Sequence, residues 1–155
     1  MPPVLTITGQ LRLAASWVDD LTLTTVTDSA SVLQTLSLAN GTGAGQVNGY
    51  WRDVRTVGIS ATDTINTTAL PLSVFGTAGT LNLASVKLIY VRNQSATVTL
   101  TYDIAGTNCG LPPGAVFLWT AGTAPTNKWF DSGNIVIEGG SASATYEIVL
   151  AGVKA

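Results

Sequence analysis

The chain contains no histidine and one cysteine, Cys109. The missing histidine removes the commonest general base, the commonest metal ligand and the usual partner of a nucleophilic serine or cysteine. A single cysteine permits no intrachain disulfide and gives no metal spacing, so a structural zinc site is excluded. A reactive thiol would need a lowered pKa, and a tolerated small residue is the better reading of Cys109. Acid/base chemistry is left to nine carboxylates. Asp19 and Asp20 are adjacent. In a strand they would face opposite ways, and in a turn they would solvate or cap it. Asp53 with Glu138 is the distant pair to test for glycoside hydrolysis. No loop has the dense Asp/Asn spacing of an EF-hand calcium site.

Three further groups have chemical potential. Gly41-Thr42-Gly43-Ala44-Gly45 resembles a phosphate-binding glycine loop in composition. Such a loop needs a strand before it, a helix after it and a Lys-Ser/Thr pair, and here an aromatic, strand-like segment follows. A connector is the better reading. Trp17, Trp51, Trp119 and Trp129 would serve equally as a sugar-stacking platform, as core or as subunit contact. Arg52, Asp53 and Arg55 beside Trp51 form one compact charged-aromatic group, read either as a local ion pair or as a contact at a subunit boundary.

The elements that must position these residues are strands. Val98, Leu100, Tyr102 and Ile104 alternate with Thr97, Thr99, Thr101 and Asp103, a period of two that only a half-buried strand uses. The preceding run, residues 86–92, is apolar except at Lys87 and Arg92, as for a strand covered on both faces. The two runs, joined by Asn93-Gln94-Ser95-Ala96, predict a central hairpin. Ile89 and Val91 are contact candidates if the fold leaves them uncovered. Further strands are expected at 4–8 and 11–15 around a Gly9-Gln10 turn, at 21–27 and 32–38 around an Asp28–Ser31 turn, and at 50–59 after the glycine loop. Others follow at 61–70, 115–120, 134–138 and 144–150. Pro71–Gly76 is ambiguous and could be a single helical turn. Residues 106–114 are expected to be a loop.

About ten short strands, with turns every 8–12 residues, predict an all-β fold, an antiparallel β-sandwich of jelly-roll-like type. A length of 155 residues fits one domain, with residues 1–20 read as an N-terminal arm or hairpin. Charged residues make up only 10%, against a usual ~25%. So few charges on a chain without a membrane-length apolar run imply surface that subunit contacts cover. Seven scattered basic residues and a net charge of −2 argue against nucleic acid, and no membrane partner is expected. Met1-Pro2-Pro3 lacks the features of a secretory signal, so synthesis and folding in a cytoplasm are expected.

Two runs resemble sequences of small virion proteins of tailed bacteriophages. One is Leu36-Ser37-Leu38-Ala39-Asn40-Gly41-Thr42-Gly43-Ala44-Gly45-Gln46, and the other is Trp51-Arg52-Asp53-Val54-Arg55-Thr56. Phe75-Gly76, residues 87–93 and Tyr146-Glu147-Ile148-Val149-Leu150-Ala151-Gly152 resemble the same group. The resemblance extends over most of the chain from Leu21 onward. It implies a capsid decoration, or cement, protein, commonly a β-sandwich or jelly-roll homotrimer seated on the shell. The implied partners are the major capsid protein and further copies of the chain. The implied location is the virion surface, after assembly in the host cytoplasm. The resemblance carries over no catalytic residue and no cofactor. The interface candidates are Trp17, Trp51, Arg52, Arg55, Ile89, Val91, Trp119 and Trp129. The competing readings are a fibre-tip or adhesin module for host glycans and, last, a carboxylate-only glycan hydrolase.

Overall fold

The structure is a computed structural model that describes residues 4–21, 24–74, 77–121 and 133–155. Among the described residues there are thirteen strands and no helix. They gather into two compact units, Thr6–Leu38 and the remainder.

The Thr6–Leu38 unit is a ribbon built from β1 (Ile7–Leu21) and β2 (Thr24–Asn40). Its antiparallel ladder runs unbroken from Ile7–Leu38 to Leu21–Thr24. Neither expected turn exists. Gly9 and Gln10 pair with Leu36 and Thr35, and Asp28 to Ser31 pair with Trp17 to Ala14. Small and polar residues mark turns only where no partner strand takes up their backbone groups, and here one does. The hairpin therefore extends well past residue 20. Asp19 and Asp20 lie in the ladder rather than in a turn. The Trp17 side chain and all of Trp129 lie outside what is described.

The larger unit is an antiparallel β-sandwich. One sheet has the order β11-β8-β13-β4, formed by β4 (Gly49–Val57), β8 (Leu83–Asn93), β11 (Val116–Thr120) and β13 (Ala144–Lys154). The facing sheet has the order β10-β9-β12-β5, formed by β5 (Thr62–Asn66), β9 (Leu100–Ile104), β10 (Thr107–Leu111) and β12 (Asn134–Glu138). A hairpin of β6 (Leu70–Val74) and β7 (Thr77–Leu81) adds Leu70 and Leu81 to the core. The short β3 (Gln46–Val47) runs parallel to the end of β2. Pro71 is thus a strand residue and not a helix start.

The core follows from the alternation. Ile89 and Val91 of β8 and Tyr146, Ile148 and Leu150 of β13 meet Leu100, Ile104, Ile135 and Ile137 of the other sheet. All are essentially inaccessible, and each such side chain stabilises by about 1.5–3 kcal/mol. The other sheet of the same chain covers Ile89 and Val91, so neither is contact surface.

The expected central hairpin is absent. Strands β8 and β9 belong to different sheets, and residues 94–99 cross between them. Asn93 makes the corner. It is fully buried, and its Nδ2 donates to the carbonyls of Val98 at 2.7 Å, Leu111 at 2.9 Å and Pro112 at 3.1 Å. Its Oδ1 accepts from the Ser95 amide at 2.9 Å. A residue read as a turn polar residue is instead the buried tie of a crossing loop. The hairpin partner of β9 is β10, through a two-residue turn in which Ala105 and Gly106 both have positive φ, 55° and 79°. That is the type I′ geometry that matches strand twist.

Candidate interaction surface

The two outer faces of the sandwich differ. Residues directly opposite in a ladder share a face, so the registers define each one. On the β10-β9-β12-β5 sheet, one outward row is Asn108, Asp103, Val136, Thr64 and the next is Gly110, Thr101, Glu138, Thr62. This face is polar and suited to water.

On the β11-β8-β13-β4 sheet, one outward row is Val116, Arg92, Glu147, Val54 and the next is Leu118, Tyr90, Val149, Arg52. A third row reads Thr120, Leu88, Ala151, Tyr50, with Leu88 and Ala151 buried. Val116, Leu118, Val54 and Tyr50 are 52%, 48%, 49% and 42% exposed. They flank a charged centre in which Arg52 donates from Nε to Glu147 Oε1 at 2.6 Å. The Glu147 carboxylate raises the Arg52 pKa through that hydrogen bond. The exposed apolar side chains lie on the two edge strands, Val116 and Leu118 on β11 and Val54 and Tyr50 on β4, with Arg92 and Glu147 between them in the first row. Exposed aromatic and arginine residues among aliphatic ones match the composition of interfaces.

Of the sequence candidates, Arg52 lies on this face. Arg55 lies on the inner side of β4, where its Nε donates to Asp63 Oδ2 at 2.9 Å. The same oxygen accepts from the buried Tyr146 hydroxyl at 2.7 Å. Burial and that bond hold the Tyr146 pKa well above the usual tyrosine range. Asp53 Oδ2 stands 4.0 Å from Arg55 Nε, at the limit of an ion pair. This group links the sheets, because Asp63 is on β5 whereas Arg55 and Tyr146 are on β4 and β13. Both arginines are ion-paired, Arg55 with Asp63 on the inner side and Arg52 with Glu147 on the outward face. Sequence reasoning missed Tyr50, Tyr90, Val116 and Leu118. Period-two alternation would have put each beside an inward neighbour, but which face lay inward was not legible.

The remaining chemical candidates are accounted for by geometry. Trp51 is 3% exposed and its Nε1 donates to the Pro71 carbonyl at 2.8 Å. Trp119 is half-buried against the core, so neither of these rings is an open sugar platform. Asp53 and Glu138 are not brought together: Asp53 faces inward on one sheet and Glu138 outward on the other. The glycine loop closes on itself. Gln46 Oε1 accepts from the Gly43 amide at 2.9 Å, the Ala39 amide donates to Gly45 O, and Lys87 Nζ donates to Gly43 O at 2.5 Å. A side-chain amide thus fills the place an anion would take. Among the described residues no cluster of three or more His, Cys, Asp or Glu could hold a metal ion. No protein-family model, curated protein or solved structure matches this chain.

Proposed function

We propose that the protein is a non-enzymatic structural component of a tailed-phage virion, which decorates the capsid and cements it at capsomer boundaries. The observation that carries this reading is the asymmetry of the two outer faces. A protein seated on a shell needs one face for protein and one for water. The Val116, Leu118, Val54 and Tyr50 face, with its Arg52–Glu147 centre, suits the first. The threonine-rich face suits the second. The partners on this reading are the major capsid protein and further copies of the chain in a homotrimer. The site of action is the capsid surface, after assembly in the host cytoplasm.

The strand orders support a finer description as well. Each of β4–β5, β8–β9, β10–β11 and β12–β13 is joined by a short crossing connection, and their positions in the two sheet orders correspond one to one. That correspondence supports the jelly-roll reading of the sandwich, an arrangement that viral capsid domains use. The reading also agrees with the resemblance to decoration proteins.

The test adds purified protein to preformed shells that lack it and images the particles by electron cryomicroscopy. Density over capsomer boundaries, with the β11-β8-β13-β4 face against the shell, is expected. Bare shells would overturn the reading. Density at a fibre tip in images of whole particles would replace it with the glycan-binding alternative, for which Tyr50 and Tyr90 would be the aromatic contacts.

A further inference from the structure

The three outward rows of the β11-β8-β13-β4 sheet hold two guanidinium groups and one carboxylate, those of Arg52, Arg92 and Glu147. Arg52 takes up the carboxylate: its Nε and one terminal nitrogen both stand 2.6 Å from Glu147 Oε1. Arg92 lies directly across the ladder from Glu147 and is exposed, yet it makes no hydrogen bond or ion pair among the described residues. Whichever arginine holds Glu147, one positive charge is left over. The surplus runs against the sign of the whole chain, whose net charge is −2. It also runs against the other outer face, whose two rows carry Asp103 and Glu138 and no cation.

The position of Arg92 gives the surplus a consequence. Strand β8 is interior to its sheet, and Arg92 stands between Val116 on one side and Glu147 and Val54 on the other. Tyr90, two residues along the strand, shares its face. A partner seated here takes water away from the guanidinium. Burying an unpaired charge costs more than the surrounding apolar contacts return, so a covered arginine needs a counter-charge. Glu147 is the single carboxylate in these rows and Arg52 already holds it. The second carboxylate must come from the partner, and the planar fork of an arginine fits one in two parallel hydrogen bonds.

We infer that the partner of this face is acidic opposite Arg92, and that Arg92 is the residue that sets where on the partner the face docks. The inference rests on the virion reading, under which that partner is the shell.

Pelleting of the full chain with preformed shells that lack it, over a range of salt concentrations, tests the inference. Arg92→Ala should weaken binding at least roughly thirtyfold, and Arg92→Glu should weaken it further by setting like charges together. Wild-type binding should fall as salt rises, and Arg92→Ala should flatten that dependence. Glu138→Gln alters the net charge from the opposite face and should leave binding unchanged. Arg92 is exposed and without a described partner, so its variants should melt within a degree or so of wild type. Equal binding by wild type and Arg92→Glu would overturn the inference and leave the virion reading standing. A gain in Glu138→Gln as large as the loss in Arg92→Ala would overturn it too, because net charge and not a local contact would then be at work. A wild type that leaves the shells bare would overturn the virion reading, and this inference with it.

Discussion

Two buried polar side chains, Asn93 and Tyr146, tie elements of the two sheets together. Asn93 satisfies three carbonyls and one amide at a crossing between sheets. Asn93→Ala would strip the side-chain donor from the Val98 and Leu111 carbonyls and the acceptor from the Ser95 amide, while the Pro112 carbonyl keeps the Ala115 amide, and urea unfolding should show a loss of about 2–4 kcal/mol. Tyr146 gives a pH signature. Its folded pKa lies above the ordinary tyrosine value, first through burial and then through the Asp63 hydrogen bond. The folded protein keeps the phenolic proton where the unfolded chain sheds it. The resulting stabilisation is complete below about pH 10 and is lost as pH climbs beyond that value. Burial shifts Tyr102 in the same direction. Tyr146→Phe should therefore flatten, without abolishing, the alkaline fall in stability followed by thermal melts at rising pH. At neutral pH it should cost about 1 kcal/mol for the lost hydrogen bond.

At the scale of elements, the crossing loops and the tight turn decide the fold. Loops 58–61 and 139–143 are knotted by the Gly139 amide donating to Ala61 O at 2.8 Å and the Ser60 amide to Gly140 O at 3.1 Å. A Cβ on Gly139 would overlap the Gly58 carbonyl oxygen, a backbone atom that cannot step aside. Gly139→Ala should lower the unfolding free energy by roughly 1–3 kcal/mol, the usual range for overpacking. Ala105 holds φ 55° beside Gly106 at 79°. A left-handed conformation costs alanine about 1–2 kcal/mol, and asparagine tolerates it better. Ala105→Asn should raise the melting temperature of the protein. These two places also mark what the sequence made legible. The Gly139–Ser143 connection reads as a turn because its residues can do little else. The Ala105–Gly106 turn does not, because alanine gives no turn signal. The segment 107–111 then looked like loop, although Leu111 pairs with Leu100 and joins the core.

At the scale of the molecule, the two outer faces differ in composition. Leu118→Asp on the β11-β8-β13-β4 face and Thr64→Asp on the β10-β9-β12-β5 face make a matched pair. Both side chains point outward from a ladder, so neither substitution should shift the melting temperature by more than a degree or so. On the virion reading, Leu118→Asp abolishes shell binding in a pelleting assay and Thr64→Asp leaves it intact. Equal binding by both variants would remove this face from consideration as the contact.

The sequence by itself determined the all-β class. A period of two with no helical period anywhere has one structural solution, and composition alone left chemistry short of histidine and paired cysteines. It also located most strands of the sandwich, because those strands alternate and their ends carry glycine, proline or asparagine. Only the tertiary structure decided which strands pair and which face lies inward. Pairing is a contest between backbone partners distant in sequence, and no local signal records its outcome. Residues 86–104 are the clearest instance. Two well-formed strands and a short polar turn read as a hairpin, yet a buried asparagine sends the second strand to the opposite sheet. With that crossing, Ile89 and Val91 turn into the core and Tyr90 and Arg92 turn out to the surface.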